Sequence, residues 1–318
     1  MGKKKRIVSI LLIVAAIVLN ALFLGVMEDT LLLRLVLCAA VDVVAVICAR
    51  NVESLLRLPL EIFKDRKMFL ILVKNDFQAR FAGSYLGIFW AYVQPVITIG
   101  LYWFVFQVGL RSGNVSDHPF ILFLVSGLVP WFYFAECWSG ASNVLLEYNY
   151  LVKKVVFNVG FLPAMKVCSA LFVHVFFVAI ITVMTLIYGY GFHPYMLQMI
   201  YYIFAMALLV LGLSYITSAF TVYFRDMTQI VGIILTIGIW MTPIMWNAQS
   251  TMSGSALALF KLNPMYYIVD GFRDCLLNRI WFWQKPVWSI YFWCVAVLVY
   301  LVGVKLFNKL KVHFSDVL

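Results

Sequence analysis

Asp270 and Asp274 stand four residues apart, a spacing that puts both carboxylates on one side of a helix. Such a pair could hold a metal ion for group transfer, as a membrane-embedded glycosyl- or acyltransferase requires. Arg273 lies between them, and a surface half-helix held by a salt bridge accounts for the same three residues. A transferase also needs further Asp, Glu or His gathered at the same membrane face, and the sequence has no such cluster. Glu136, in FAECW, falls near the inner end of an apolar run and reads as a carboxylate paired within a bundle. His174, alone in another apolar run, reads as a neutral imidazole hydrogen-bonded across helices rather than a proton relay. Arg34 and Asp42, eight apart, share roughly one helical side; as intramembrane charges they are functional candidates, and Arg34 snorkelling to the outer interface with Asp42 paired to a neighbouring helix accounts for them as well. The six cysteines show no C-x-x-C spacing and mostly sit in apolar runs, as small core fillers do. G-x-x-x-x-G-K-[ST], H-E-x-x-H and G-x-S-x-G are all absent, so no catalytic, metal or cofactor residue is assigned and the chain has no P-loop for ATP.

The elements that carry these residues follow from composition. Of 318 residues 64% are hydrophobic and only 12% charged, with mean hydropathy +0.98. A soluble domain is nearer half apolar and a quarter charged, so this is an all-α polytopic membrane protein. The net charge of +10 gathers in loops beside apolar runs, which sets membrane orientation and does not indicate nucleic acid. Residues 1–50 read as an extra N-terminal transmembrane hairpin: MGKKKR, an apolar run over 7–27, the acidic tip Glu28-Asp29, then a second run closing at Arg50. The length of the first run, the absence of an A-x-A site and the second run at Leu31 oppose a cleaved signal peptide. Residues 51–318 form the second unit. Phe69, Val73, Phe77 and Phe81 recur every four residues among Lys67, Lys74, Asp76 and Arg80, predicting an amphipathic helix over 61–82 that lies in the membrane interface. Gly83 and Ser84 mark the turn from lying flat to standing up. Six spans are expected at about 85–110, 120–142, 161–188, 195–224, 229–246 and 287–307, with a re-entrant region at 255–280 broken at Asn263-Pro264. Loop charges place both termini and Lys153 in the cytoplasm, with Ser112–Ser116 and Ser250–Ser255 outside.

Three ordered motifs carry a family resemblance. Arg80, Ser84, Leu86, Gly87, Trp90 and Pro95 resemble the opening of ABC type 2 permeases that export bacterial cell-surface polysaccharides. Lys154, Val155, Phe157 and Pro163 resemble the segment after the same family's coupling helix, with Asn158 where a proline is frequent. Leu262-Asn263-Pro264 followed by Arg273 is similar as well. The resemblance covers about 66–318 and leaves the hairpin outside. It implies a six-helix permease core, a homodimer, and two copies of a soluble ABC ATPase that binds the ATP and magnesium. The chain itself is then not an enzyme and takes no cofactor. The implied location is the bacterial plasma (inner) membrane, and the implied cargo is a lipid-pyrophosphate-linked polysaccharide: O-antigen, teichoic acid or capsule. A type 2 permease for drugs or lipids is the alternative within the family. By the same analogy Glu147, Tyr148, Tyr150 and Leu151 meet the ATPase. Lys74 and Arg80 lie where a pyrophosphate head group needs cations, and where phospholipid contact or orientation alone would also place them.

Aromatic residues make up 17% of the chain. At 100° per residue, Phe89, Tyr92, Trp103 and Phe106 fall within an arc of about 100° on the first core span. Trp131, Phe134 and Trp138 cluster on the second. Flat aromatic faces suit a sugar polymer sliding through a channel; stripes at this spacing also pack a bundle or face lipid.

Overall fold

A computed structural model describes residues 31–318 except 81, 112, 114, 116 and 154–156, and the backbone alone at 31–37, 40, 249 and 255. The expected first hairpin span, the motif residues Lys154 and Val155, and part of the expected outer loop therefore lie outside the described residues. Among those described the chain is helical, with no β-strand.

The chain enters with α1, Leu31–Arg50, twenty residues or roughly 30 Å of helix. Two helices follow where one was expected: α2, Val52–Lys64, and α3, Arg66–Ala79, meeting at Asp65, whose φ of −102° and ψ of 28° leave the helical range. Helix α3 buries Phe69, Val73 and Asp76, one stripe at helical spacing. The chain then turns through Gly83 at φ +81°, a conformation open to glycine at little cost. Helix α4, Trp90–Trp103, begins from a 3-10 turn at Gly87–Phe89 and loosens into a π turn, Phe104–Gly109. Helix α5, Phe120–Ser142, leads to two single turns, α6 (Val144–Glu147) and α7 (Asn149–Val152). Helices α8 (Phe161–Ile187), α9 (Met199–Tyr223) and α10 (Met227–Met241) follow.

Five helical stretches among the described residues are long and apolar enough to cross a membrane: Gly87–Gly109, Phe120–Ser142, Phe161–Ile187, Pro194–Tyr223 and Pro286–Val317. The span expected at 229–246 is the shorter α10, whose 15 residues rise only about 22 Å. It stops at Met241 because Thr242 precedes a proline and is forced extended, at φ −99° and ψ 123°.

Beyond α10, a single turn α11 (Ala248–Thr251) and helix α12 (Gly254–Lys261) lead to α13, Pro264–Arg273. Asn263 caps α13 by accepting from the Met265 N–H at 3.0 Å, and Pro264 fills the first turn, where a missing donor matters least. The Asn263 amide also donates to Thr242 Oγ1 at 2.8 Å, tying the helix start to the end of α10. The surface half-helix expected here is interior instead. Arg273 and Asp274 are 6% and 1% exposed, because α13 wedges between α5, α9 and the last long helix, α14 (Pro286–Leu310). The salt-bridge partner is correspondingly Lys285, 2.6 Å from Asp270, and not Arg273. A short α15, Phe314–Val317, closes the chain.

Packing is uneven around the bundle. The most apolar window of α5 is 78% buried, whereas that of Gly87–Gly109 has no buried position. Helix α5 is thus the hub, and α4 stands at an open side of the subunit. Helices α9 and α14 make the closest pair: a Cβ at Gly212 would stand 2.6 Å from the Tyr300 nitrogen, and one at Gly303 would strike the Gly212 carbonyl. Small residues let the two backbones touch, which is how helices associate where lipid removes the hydrophobic drive. A second apolar cluster joins Leu58, Phe69 and Val73 of the surface helices to Phe161, Tyr215 and Phe307 of the bundle. Helices α2 and α3 are therefore docked on the bundle rather than tethered to it.

Candidate functional site

Where α3 docks, four elements contribute charge to one junction. Asp76 points from α3 into the bundle and is 1% exposed. Lys166, one turn into α8 past Pro163, reaches it at 2.7 Å. Ser169 Oγ donates to the same carboxylate at 2.6 Å and the Tyr148 hydroxyl at 2.9 Å. Arg80, one turn further along α3, spans Asp76 at 3.3 Å and Glu136 of α5. Lys166 also holds Glu147 of α6 at 2.8 Å and lies 5.4 Å from the Tyr148 ring centre. Three carboxylates thus face two cations, and every member touches at least one of opposite sign.

Burial pushes the Asp76 carboxyl upward, yet the Lys166 charge, the hydrogen bonds from Lys166 and Ser169, and the Arg80 charge outweigh it. Asp76 is held below the usual carboxylate value and stays ionised. Burial, and then the Asp76 charge, raise the Tyr148 phenol, which remains a donor. The Lys166–Asp76 pair at the centre of the junction is rigid, since separating them strands a charge in a poorly solvated place. Glu136 and Glu147 keep 36% and 45% of their side chains exposed. The junction can transmit displacement: a push on α6 reaches α3 and α5 through Lys166, Asp76 and Arg80.

Of the residues singled out from sequence, Glu147, Tyr148 and Arg80 come together in this junction. Tyr150 points outward and is 56% exposed, while Leu151 is half-buried against the lower apolar cluster. Lys74 is exposed on the same helix but outside the junction. Phe89 and Trp103 are exposed on the open side. Tyr92 packs 4.3 Å from Phe176, and Phe106 stacks 5.9 Å from Phe120. Trp131, Phe134 and Trp138 form a buried ladder with 5.7 and 5.6 Å ring spacings, Trp131 lying against Gly238 of α10. Sequence reasoning missed Asp76 as a centre, and it missed Lys166 and Ser169 altogether. A lone lysine in the apolar run after Pro163 was the available signal, because an intramembrane cation needs a partner.

Long apolar helices around a buried hub, with shorter helices ion-paired to them, define a multi-pass α-helical membrane protein. The ABC-2 type transporter family matches residues 67–277, and the chain belongs to that family. It is 28% identical over 265 residues to the O-antigen export system permease protein RfbA of Myxococcus xanthus, covering 82% of this chain and 99% of the relative. Two proteins of the same description from Klebsiella pneumoniae are 24% and 25% identical over 261 and 258 residues, each covering 79% of this chain and 95% of the relative. The chain is a membrane-spanning permease subunit of that family.

Proposed function

We propose that this permease exports a lipid-linked cell-surface polysaccharide of the O-antigen type across the bacterial inner membrane, driven by a separate ABC ATPase. The observation that carries the reading is the likeness, along nearly the whole length of three relatives, to proteins described as O-antigen export permeases. The permease works as a homodimer with two ATPase copies. Two copies meet through the uncovered α4 and the largely exposed α10, which supports placing the export path between them. The ATPase docks on residues 144–152 from the cytoplasm, moves Glu147, and through Lys166 and Asp76 tilts α3 against α5. Lys74 and Arg80 receive the pyrophosphate, and a phosphate at Arg80 competes with Glu136 for the same guanidinium. Cargo arrival and ATPase movement would then act on one junction.

The test is a strain lacking this chain. It should lose its surface polysaccharide and regain it with the wild-type chain. Glu147→Arg with Tyr148→Ala should insert normally yet fail to co-purify with the ATPase or restore the polymer. Full restoration by that variant would remove the docking site, and an unchanged surface in the deletion strain would remove the export reading. Orientation is tested by an impermeant thiol reagent on single cysteines: position 253 should label from outside the cell and position 153 should not.

A further inference from the structure

The end of the bundle opposite the charged junction holds a second polar assembly that the proposed coupling does not use. A cavity of about 590 Å³ opens between the loop carrying Asp117 and His118, the turn after α10, and the end of α13. Its size is that of pockets that hold small organic ligands. A smaller one of about 140 Å³ adjoins it, sharing Tyr266, Asp270 and Lys285.

The wall is built rather than incidental. Lys285 is clamped by Asp270 at 2.6 Å and Asp274 at 2.5 Å. Asn278 donates to Asp274 at 2.9 Å, and its carbonyl meets His118 Nε2 at 3.2 Å. His118 Nδ1 is held in turn by the Tyr190 hydroxyl at 2.7 Å. This chain of hydrogen bonds links three segments far apart in sequence and presets the positions of the polar groups. Arg273 also lines the cavity at 6% exposure, its guanidinium 3.5 Å over the Phe123 ring centre. Nη2 is spent on the Ile244 carbonyl at 2.8 Å, and Nε has no acceptor. A buried donor of this kind carries a desolvation cost that is tolerated only if the guanidinium's other nitrogens are well placed.

Among the residues that line the cavity, Arg273 and Lys285 stand against Asp117 and Asp270, and Asp274, behind Lys285, adds one nearly inaccessible carboxylate. A net anion gains nothing from such a wall, and a metal cation would have to compete with Lys285 for Asp270. A neutral ligand rich in hydroxyls fits, because each hydroxyl both donates to a carboxylate and accepts from Arg273. Tyr266 and Phe123 add aromatic surface beside those groups. We propose that this cavity binds neutral saccharide units of the polymer at the exit end of the bundle, a claim that rests on the export reading above.

The test uses the full chain in lipid nanodiscs, with maltotriose and mannotriose as neutral probes and trigalacturonate as an acidic one. Binding is read by saturation-transfer difference NMR of the sugar protons. At least one neutral trisaccharide should bind with a Kd near 1 mM, and Asp117→Ala should weaken it about tenfold, as loss of one charge-assisted hydrogen bond does. Asp117 is exposed, so this variant should fold normally. Asp270→Asn should weaken binding similarly, and Lys309→Gln, at the other end of α14, should leave it unchanged. No binding of either neutral probe, binding of trigalacturonate alone, or equal binding by wild type and Asp117→Ala would each overturn the site. The deletion strain judges the export reading separately: lost surface polymer with no sugar binding removes only this inference.

Discussion

Replacing Asp76 with Asn tests the junction most directly, since it keeps shape and removes one charge. The Lys166–Asp76 contact is 2.7 Å long and both side chains are nearly inaccessible, at 5% and 1%. With an effective dielectric of about 20, two unit charges at that distance attract by roughly 6 kcal/mol. Much of this offsets the desolvation of the two ions, and the variant saves that cost for Asp76 alone. Lys166 keeps Glu147, a side chain 45% exposed and hence a weaker partner, and Arg80 keeps Glu136. The Asn side chain still offers an oxygen to Ser169 and Tyr148. A net loss of about 3 kcal/mol is expected, the lower end of the range for breaking a buried pair. Lys166→Met should cost about as much, because Asp76 then relies on Arg80 at 3.3 Å. The double variant removes both buried charges and should cost about 2 kcal/mol less than the sum of the singles. Equilibrium unfolding by added dodecyl sulfate in mixed micelles, followed by circular dichroism, measures all four corners of this cycle. Additivity within about 0.5 kcal/mol would refute a coupled junction.

Acid should loosen the same contact: with Asp76 held below its ordinary 3.8, its stabilisation is complete above that value and is lost as pH falls further through the group's own lower value. Thermal melting of wild type should therefore fall more steeply below pH 3.8 than that of Asp76→Asn, and parallel curves would contradict this. Gly303→Val should destabilise by at least about 3 kcal/mol, since the new side chain meets the Gly212 backbone and no rotamer relieves it; a melting temperature within a degree of wild type would refute the close crossing of α9 and α14. Trp131→Ala should lose about 3–5 kcal/mol, as buried aromatics do, whereas Trp103→Ala on the open side should leave the melting temperature nearly unchanged. If Trp103→Ala still slows polymer export, the first stripe lines the path; if export and stability fall in proportion, it packs against a second subunit.

Much of this protein is legible without coordinates because a bilayer imposes simple rules on sequence. An apolar run must be a helix, since no water satisfies its backbone inside lipid. For that reason the expected span 120–142 coincides with α5, Phe120–Ser142. The break at Asn263-Pro264 was equally local, because a capping side chain followed by a residue without an N–H starts a helix whatever surrounds it. The halt of α10 before Pro243 follows a local rule too, although apolarity alone extended that span to 246.

Pairing across distance obeys no such rule. Asp76 sits among Lys67, Lys74 and Arg80 and reads as one more charge on a wet helix face, yet it is buried. What decides this is Ser169, 93 residues away, together with Lys166 beside it on the same helix. Arg273 likewise stood as the natural partner of Asp270 and Asp274, its nearest neighbours in sequence. The wedge of α13 turned it onto Phe123, 150 residues earlier, and left the carboxylates to Lys285. Where helices cap, break and turn was largely settled by the sequence alone, because those energetics lie within a few residues of backbone and solvent. Which charges neutralise one another was decided only by the tertiary fold, since burying an ion is tolerable only where the packed bundle delivers its counter-ion.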